Sequence, residues 1–114
     1  MKEIKGYKEI EQLFGYFPTF HDDIIEKIEI CNDKLFMIIR METKPKTISS
    51  VVRIEFTLEN VFEIRLEGNG YLTESIIFEI EIKTYDFYTQ IIVDSTTGLS
   101  GNIKAEKVKI KVLY

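Results

Sequence analysis

The chain has no tryptophan, one cysteine, one histidine, one alanine and two prolines among its 114 residues. The single cysteine, Cys31, excludes an internal disulfide and a cysteine-based zinc cluster. It stands at the end of a strand-like run, where a small buried hydrophobe is usual. One histidine, His21, is too few for a multi-histidine metal centre. Apolar runs are only a few residues long, far short of a membrane span. The opening Met1-Lys2-Glu3-Ile4-Lys5 has no apolar stretch of a signal peptide. A soluble, cytoplasmic, single-domain protein over residues 1–114 is the expectation.

The scarcity of alanine removes the strongest helix former. In its place stand nineteen isoleucines, eight phenylalanines and six tyrosines, side chains that suit a pleated, half-buried surface. Tyr7, Ile10, Leu13, Phe14 and Phe17 recur at helical spacing, which predicts one short amphipathic helix over about 7–14, capped by Gly15 and followed by Pro18. From Asp22 the period changes to two. Strand-like runs occupy 23–31, 34–43, 49–59, 61–67, 74–83, 85–94 and 102–113. Val52, Ile54, Phe56 and Leu58 oppose Arg53, Glu55, Thr57 and Glu59, as on a strand with one face on a core and one in water. Asn32-Asp33-Lys34 reads as a tight hairpin turn. Residues 43–47 and 96–102 read as longer loops, and Gly68-Asn69-Gly70 as a turn. A slip in apolar phase between Ala105 and Val108 predicts a bulge near Glu106-Lys107. The fold class is α+β, mostly β: one short N-terminal helix packed on about seven antiparallel strands, as a sandwich or a strongly curled sheet.

The net charge of −4 is unevenly spread. Residues 55–86 hold eight acids against Arg65 and Lys83, whereas the C-terminal run carries Lys104, Lys107, Lys109 and Lys111 against Glu106. Lysines alternating with Val108, Ile110 and Val112 suit a solvated strand face and guard an edge. An acidic balance without a basic groove argues against nucleic acid as a partner.

The segment Phe17-Pro18-Thr19-Phe20-His21-Asp22-Asp23 concentrates the rarest residues. A metal site is not expected there, because adjacent Asp22 and Asp23 point to opposite faces of a strand and no further histidine converges. A Cys31–His21 pair would join residues ten apart, with Cys31 at a strand end where a buried apolar residue is usual. Ser49, Ser50, Ser75, Ser95 and Ser100 do not occupy a glycine-flanked strand-to-helix turn. Carboxylates are plentiful but unspecific, and no helix follows Gly68-Asn69-Gly70 to make a phosphate cradle. The expectation is therefore no enzyme, no metal and no cofactor. Phe17, Pro18, Phe20, His21 and Asp22 are expected as a structural corner: Pro18 ends the helix, the phenylalanines pack inward, and His21 and Asp22 bond backbone groups freed by the turn. A small ligand-binding or assembly module is the alternative class.

Phe14-Gly15-Tyr16-Phe17-Pro18-Thr19-Phe20-His21-Asp22-Asp23 and the isoleucine-rich run after it resemble the opening of a bacterial family, number fifty among the polymorphic-toxin immunity proteins. The strand pattern over 54–58, Asn60-Val61, 62–66 and 76–82 is also similar. Phe17 departs from it, since the family usually has tryptophan there. The resemblance implies a non-enzymatic, mostly β protein that binds and neutralises a cognate toxin, with the 17–23 motif as a fold determinant. Glu63, Glu67, Glu79 and Glu81 are then candidates for a surface that opposes a basic toxin site, such as a nuclease's. No membrane partner is expected, and an exposed strand edge leaves room for a homodimer.

Overall fold

The computed structural model describes residues 4–42 and 50–114. Helix α1 (Tyr7–Phe14) precedes five strands: β1 (Ile24–Cys31), β2 (Lys34–Met41), β3 (Val52–Asn69), β4 (Ile76–Thr84) and β5 (Thr89–Leu113). Neighbouring strands are antiparallel and close into a barrel in the order β1-β2-β3-β5-β4. The protein is mostly β with one short α-helix, as the composition predicts. Among the described residues there are five strands rather than seven, and the sheet closes on itself rather than forming a sandwich.

Two mergers account for the difference. Residues 52–59 of one expected run and 61–67 of the next form one bent strand, because β5 lies unbroken along both halves, from Arg53↔Leu113 to Asn69↔Gly98. Asn60, whose φ of 54° takes the bend, resembles a turn residue in sequence but sits within the strand. The runs 85–94 and 102–113 meet in β5, which begins at Thr89 and folds back on itself; residues 85–88, expected as strand, instead make the β4–β5 turn, closed by the Tyr85 N–H donating to the Tyr88 carbonyl at 2.8 Å. Straight, its 25 residues would extend about 80 Å, against a longest molecular dimension of 37 Å. The amide of Gln90 lies 3.4 Å from that of Asn102, and the Lys104 ammonium lies 5.8 Å from the Tyr88 ring centre. The two arms of β5 therefore lie side by side. Their reversal is held by the Ser95 N–H donating to the Ser100 hydroxyl at 2.9 Å and by Gly98 at φ 98°, packed against Ser75. The loop expected at 96–102 is this reversal, still paired to its neighbours. The loop expected at 43–47 lies outside the described residues.

Asn32 (φ 55°) and Asp33 make the β1–β2 hairpin turn, as expected. The turn expected at Gly68-Asn69-Gly70 begins later: Gly68 and Asn69 stay in β3, paired with Leu99 and Gly98, and only Gly70 (φ 86°) leaves it. Inward phase slips at Glu106-Lys107, both exposed between buried Ala105 and Val108. The shift in pairing lies on the facing strand, between Val61 and Glu63, so Phe62 is the extra residue and is left exposed.

The core is the barrel interior. Leu35, Met37, Ile39, Ile54, Phe56, Leu58, Ile77, Ile91 and Ile103 are fully enclosed. Helix α1 ends at Gly15 (φ 83°) as its sequence predicts and buries Ile10 against this core. The segment before the helix is tied to β5 by the Ile110 N–H donating to the Lys5 carbonyl at 2.8 Å. Gly6 (φ 92°) permits that approach, since a Cβ there would collide with the Ile110 carbonyl. No helix among the described residues is long and apolar enough to cross a membrane.

Candidate functional site

Residues 17–23 form the seam of the barrel. Strands β1 and β4 share one strand pair, Ile24↔Ile76. The rest of the closure comes from the motif. Thr19 accepts from Ile80 N at 2.9 Å, Asp22 N donates to Ile77 O at 2.8 Å, and Ile77 N donates back to Asp23 O at 2.8 Å. Ile25 N continues the line to Ser75 O at 3.0 Å. To follow this path the chain adopts left-handed conformations at Phe20 and Asp22, each at φ 66°. Such positions cost about 1–3 kcal/mol each for non-glycine residues and persist only where the surroundings hold them.

The surroundings do so through each of the conspicuous side chains. Phe17 stacks on Tyr7 with ring centres 4.0 Å apart and meets the edge of Phe20 at 5.9 Å. Phe20, 1% exposed, abuts Phe56 at 5.6 Å and so joins the corner to the core. Pro18 is buried between them in sequence. His21 is exposed, but its Nδ1 lies 2.9 Å from the Phe78 carbonyl, which can only accept, so Nδ1 carries the proton. The imidazole edge also faces the Phe78 ring at 5.4 Å, and Nε2 lies 3.5 Å from the Asp22 carboxylate.

One role moves by a residue. Asp22 is exposed, and its side chain meets His21; Asp23 is the buried carboxylate, 1% exposed, accepting from the Glu42 backbone N–H at 2.7 Å. The left-handed turn at Asp22 sends the two aspartates to opposite sides, and only the second reaches the end of β2. Asp23 was legible as one of a pair, but nothing in the sequence distinguishes the two. Cys31, expected inside, is exposed beside the β1–β2 turn. Among the described residues no three His, Cys, Asp or Glu side chains converge as a metal site.

The four candidate glutamates share the outer face of β3, β5 and β4. Register places Glu63 across from Lys104, Glu67 from Ser100, Glu81 from Ile92 and Glu79 from Asp94. The contacts of Tyr88 with Lys104 and of Gln90 with Asn102 join the two arms of β5 on that same face. The glutamates are not equivalent. Glu63 is bridged by Lys104 at 3.2 Å and Arg65 at 3.5 Å, and Glu59 by Lys109 at 2.9 Å. The acidic middle of the sequence and its basic end thus neutralise each other, because β3 and β5 are neighbours. Glu81 has a looser partner in Lys83 at 3.8 Å. Glu67, Glu79 and Asp94 have no cationic partner among the described residues, and Asp94, opposite Glu79, enlarges the acidic end of the face. At the other end Phe62, 59% exposed, meets Tyr88 edge-on at 5.5 Å, and Tyr88 stacks on Tyr85 at 4.7 Å.

A second charged group lies outside β1–β3. Glu26 accepts from Arg53 Nε at 2.5 Å and lies 3.4 Å from Arg40 Nη1. The Arg53 hydrogen bond holds the Glu26 carboxyl below its ordinary range, with burial opposing part of the effect. Hydrogen bonds from Lys109 and Lys104 depress Glu59 and Glu63 likewise. A depressed folded-state value means that the unfolded chain binds more protons in the interval, so this stability is present above the ordinary carboxylate range and is lost as pH falls through the folded values. The melting temperature is expected to fall between about pH 5 and about pH 3, and Glu26→Gln to flatten that limb. Calorimetric melts across the interval check this. Beside Glu26, a solvent-open groove of about 540 Å³ is lined by Ile24, Ile25, Arg40, Leu72, Thr73 and Ile76.

No protein-family model matches the chain, and no curated protein matches it. Among solved structures it is similar to the crystal structure of an uncharacterized protein from Neisseria gonorrhoeae. The two are 20% identical with a TM-score of 0.63, over 81% of this chain and 92% of that one. At this identity the likeness is one of fold.

Proposed function

We propose that this protein is a non-enzymatic bacterial immunity protein that neutralises a cognate toxin by docking the outer face of β3, β5 and β4 on a basic surface of that toxin. The observation that carries the reading is the mixed character of this face. Glu67, Glu79, Glu81 and Asp94 cluster at one end, and Phe62, Tyr85 and Tyr88 lie toward the other. Protein interfaces combine aromatic anchors with complementary charge, and opposite charge steers the encounter. The resemblance of residues 14–23 supplies the class of partner. In that reading the motif itself touches no toxin: its side chains are spent on the barrel seam, as a fold determinant's would be.

The test is genetic and biochemical. The neighbouring reading frame is expected to encode a toxin whose isolated effector domain arrests growth. Co-expression of this chain is expected to restore growth and to recover the two proteins as one complex. Growth arrest that persists, with no complex recovered, overturns the reading.

A further inference from the structure

The free edge of β1 has a charge and hydrogen-bond pattern that complements itself. On one side β1 pairs with β2 from Ile24↔Arg40 to Cys31↔Lys34; on the other it meets β4 only at Ile24↔Ile76. β4 begins at Ile76 and the chain before it turns through the short 3-10 segment Leu72–Glu74, so β1 beyond Ile25 runs past the end of β4. Cys31 and Lys34 flank a two-residue turn, so their N–H and C=O groups face each other. By alternation Lys27 and Glu29 also bond toward β2, while Ile28 and Ile30 turn their backbone groups to the open edge. Among the described residues those groups have no partner, and the Ile30 side chain is 56% exposed.

We propose that a second copy of this chain pairs with that edge, β1 against β1, antiparallel and centred on Ile28. In that register Ile28 meets its own copy as a hydrogen-bonded pair, and Ile30 of each copy lies opposite Glu26 of the other, where the bulge ends the ladder. Lys27 then stands opposite Glu29 of the other copy, twice by symmetry. The charges select this register. Centring one residue later, on Glu29, sets Glu29 directly against itself, which is unfavourable across strands. An edge lysine usually discourages pairing; here the glutamate two residues on, already 3.3 Å from Lys27 within the chain, converts that guard into a complementary site for a like strand. The contact is isologous and closes as a dimer, so it does not propagate into fibres.

Sedimentation across a concentration series tests this on the full chain without toxin. The unmodified protein is expected to move from monomer to dimer, with the Ile28 and Ile30 amides becoming protected from exchange as it does so. Lys27→Glu and Glu29→Lys, each setting like charges opposite twice, are expected to weaken the dimer by about tenfold or more. The double exchange, K27E with E29K, is expected to restore it. Both changes are on a solvent-facing edge, and circular dichroism confirms that each variant remains folded. A protein that stays monomeric at every concentration overturns the proposal. So does a dimer indifferent to both single reversals, or one not recovered by the double exchange.

Discussion

Replacing Phe20 with alanine is expected to destabilise the fold by about 3–5 kcal/mol, the usual range for emptying a fully buried aromatic position. The ring is wedged between Phe17 and Phe56, and its backbone is held at φ 66° by the turn it anchors. Truncation thus opens a cavity and releases the restraint on the seam together. Asp23→Ala is expected to cost about 2–3 kcal/mol, because a charge-assisted bond is lost and the Glu42 N–H is left unpaired. At about 4 °C per kcal/mol for a domain of this size, these are falls in melting temperature of roughly 15 °C and 10 °C. Asp22→Ala, one residue earlier and exposed, is expected to cost about 1 kcal/mol or less, the difference between aspartate and alanine in a left-handed conformation. Thermal unfolding of the three variants separates them. Equal losses for Asp22 and Asp23 would show that the seam is not organised as described.

Reversing Glu67, Glu79 and Glu81 to lysine together is expected to lower the association rate for the toxin by about ten- to a thousandfold, the range over which electrostatic steering acts. The change moves six units of charge on one sheet face while touching no core side chain. The salt dependence of association is expected to reverse, because the altered face repels a basic partner and salt screens repulsion as it screens attraction. Glu63 is left out of the set because its carboxylate is committed to Lys104 and Arg65, so that reversing it would mix a local loss of stability with any loss of binding. Surface-based kinetics at two ionic strengths provide the measurement. An association rate within about twofold of the unmodified protein would remove this face from the interface.

What was legible in the chain was mostly local. Tyr7, Ile10 and Phe14 with Gly15 after them specify α1 through spacing and cap alone, and the alternation of 52–58 specifies a half-buried strand. What escaped depended on partners distant in sequence. Asn60 has the residue type of a turn, yet β5 runs past it and keeps β3 continuous. The polar stretch 96–102 has the composition of a loop, but its Ser100, bonded to the Ser95 N–H, closes a reversal within paired strand. The same non-local pairing altered the charge map: acids 40 or more residues from their lysines in sequence are neutralised in space, which withdraws Glu63 and adds Asp94 to the exposed set. At the corner, the residues that matter could be read from their rarity, but which aspartate is buried depends on the backbone hand at Asp22, and nothing in the neighbouring residue types signals that.

The central claim is that residues 17–23 hold the barrel shut while the toxin is met elsewhere. The most direct test is one variant measured twice: His21→Ala, for melting temperature and for its dissociation constant with the toxin recovered by co-expression. Loss of the bond to Phe78 is expected to cost about 1 kcal/mol, hence about 4 °C, with toxin affinity unchanged. An unchanged melting temperature with binding abolished would contradict the account and place the sole histidine in the interface.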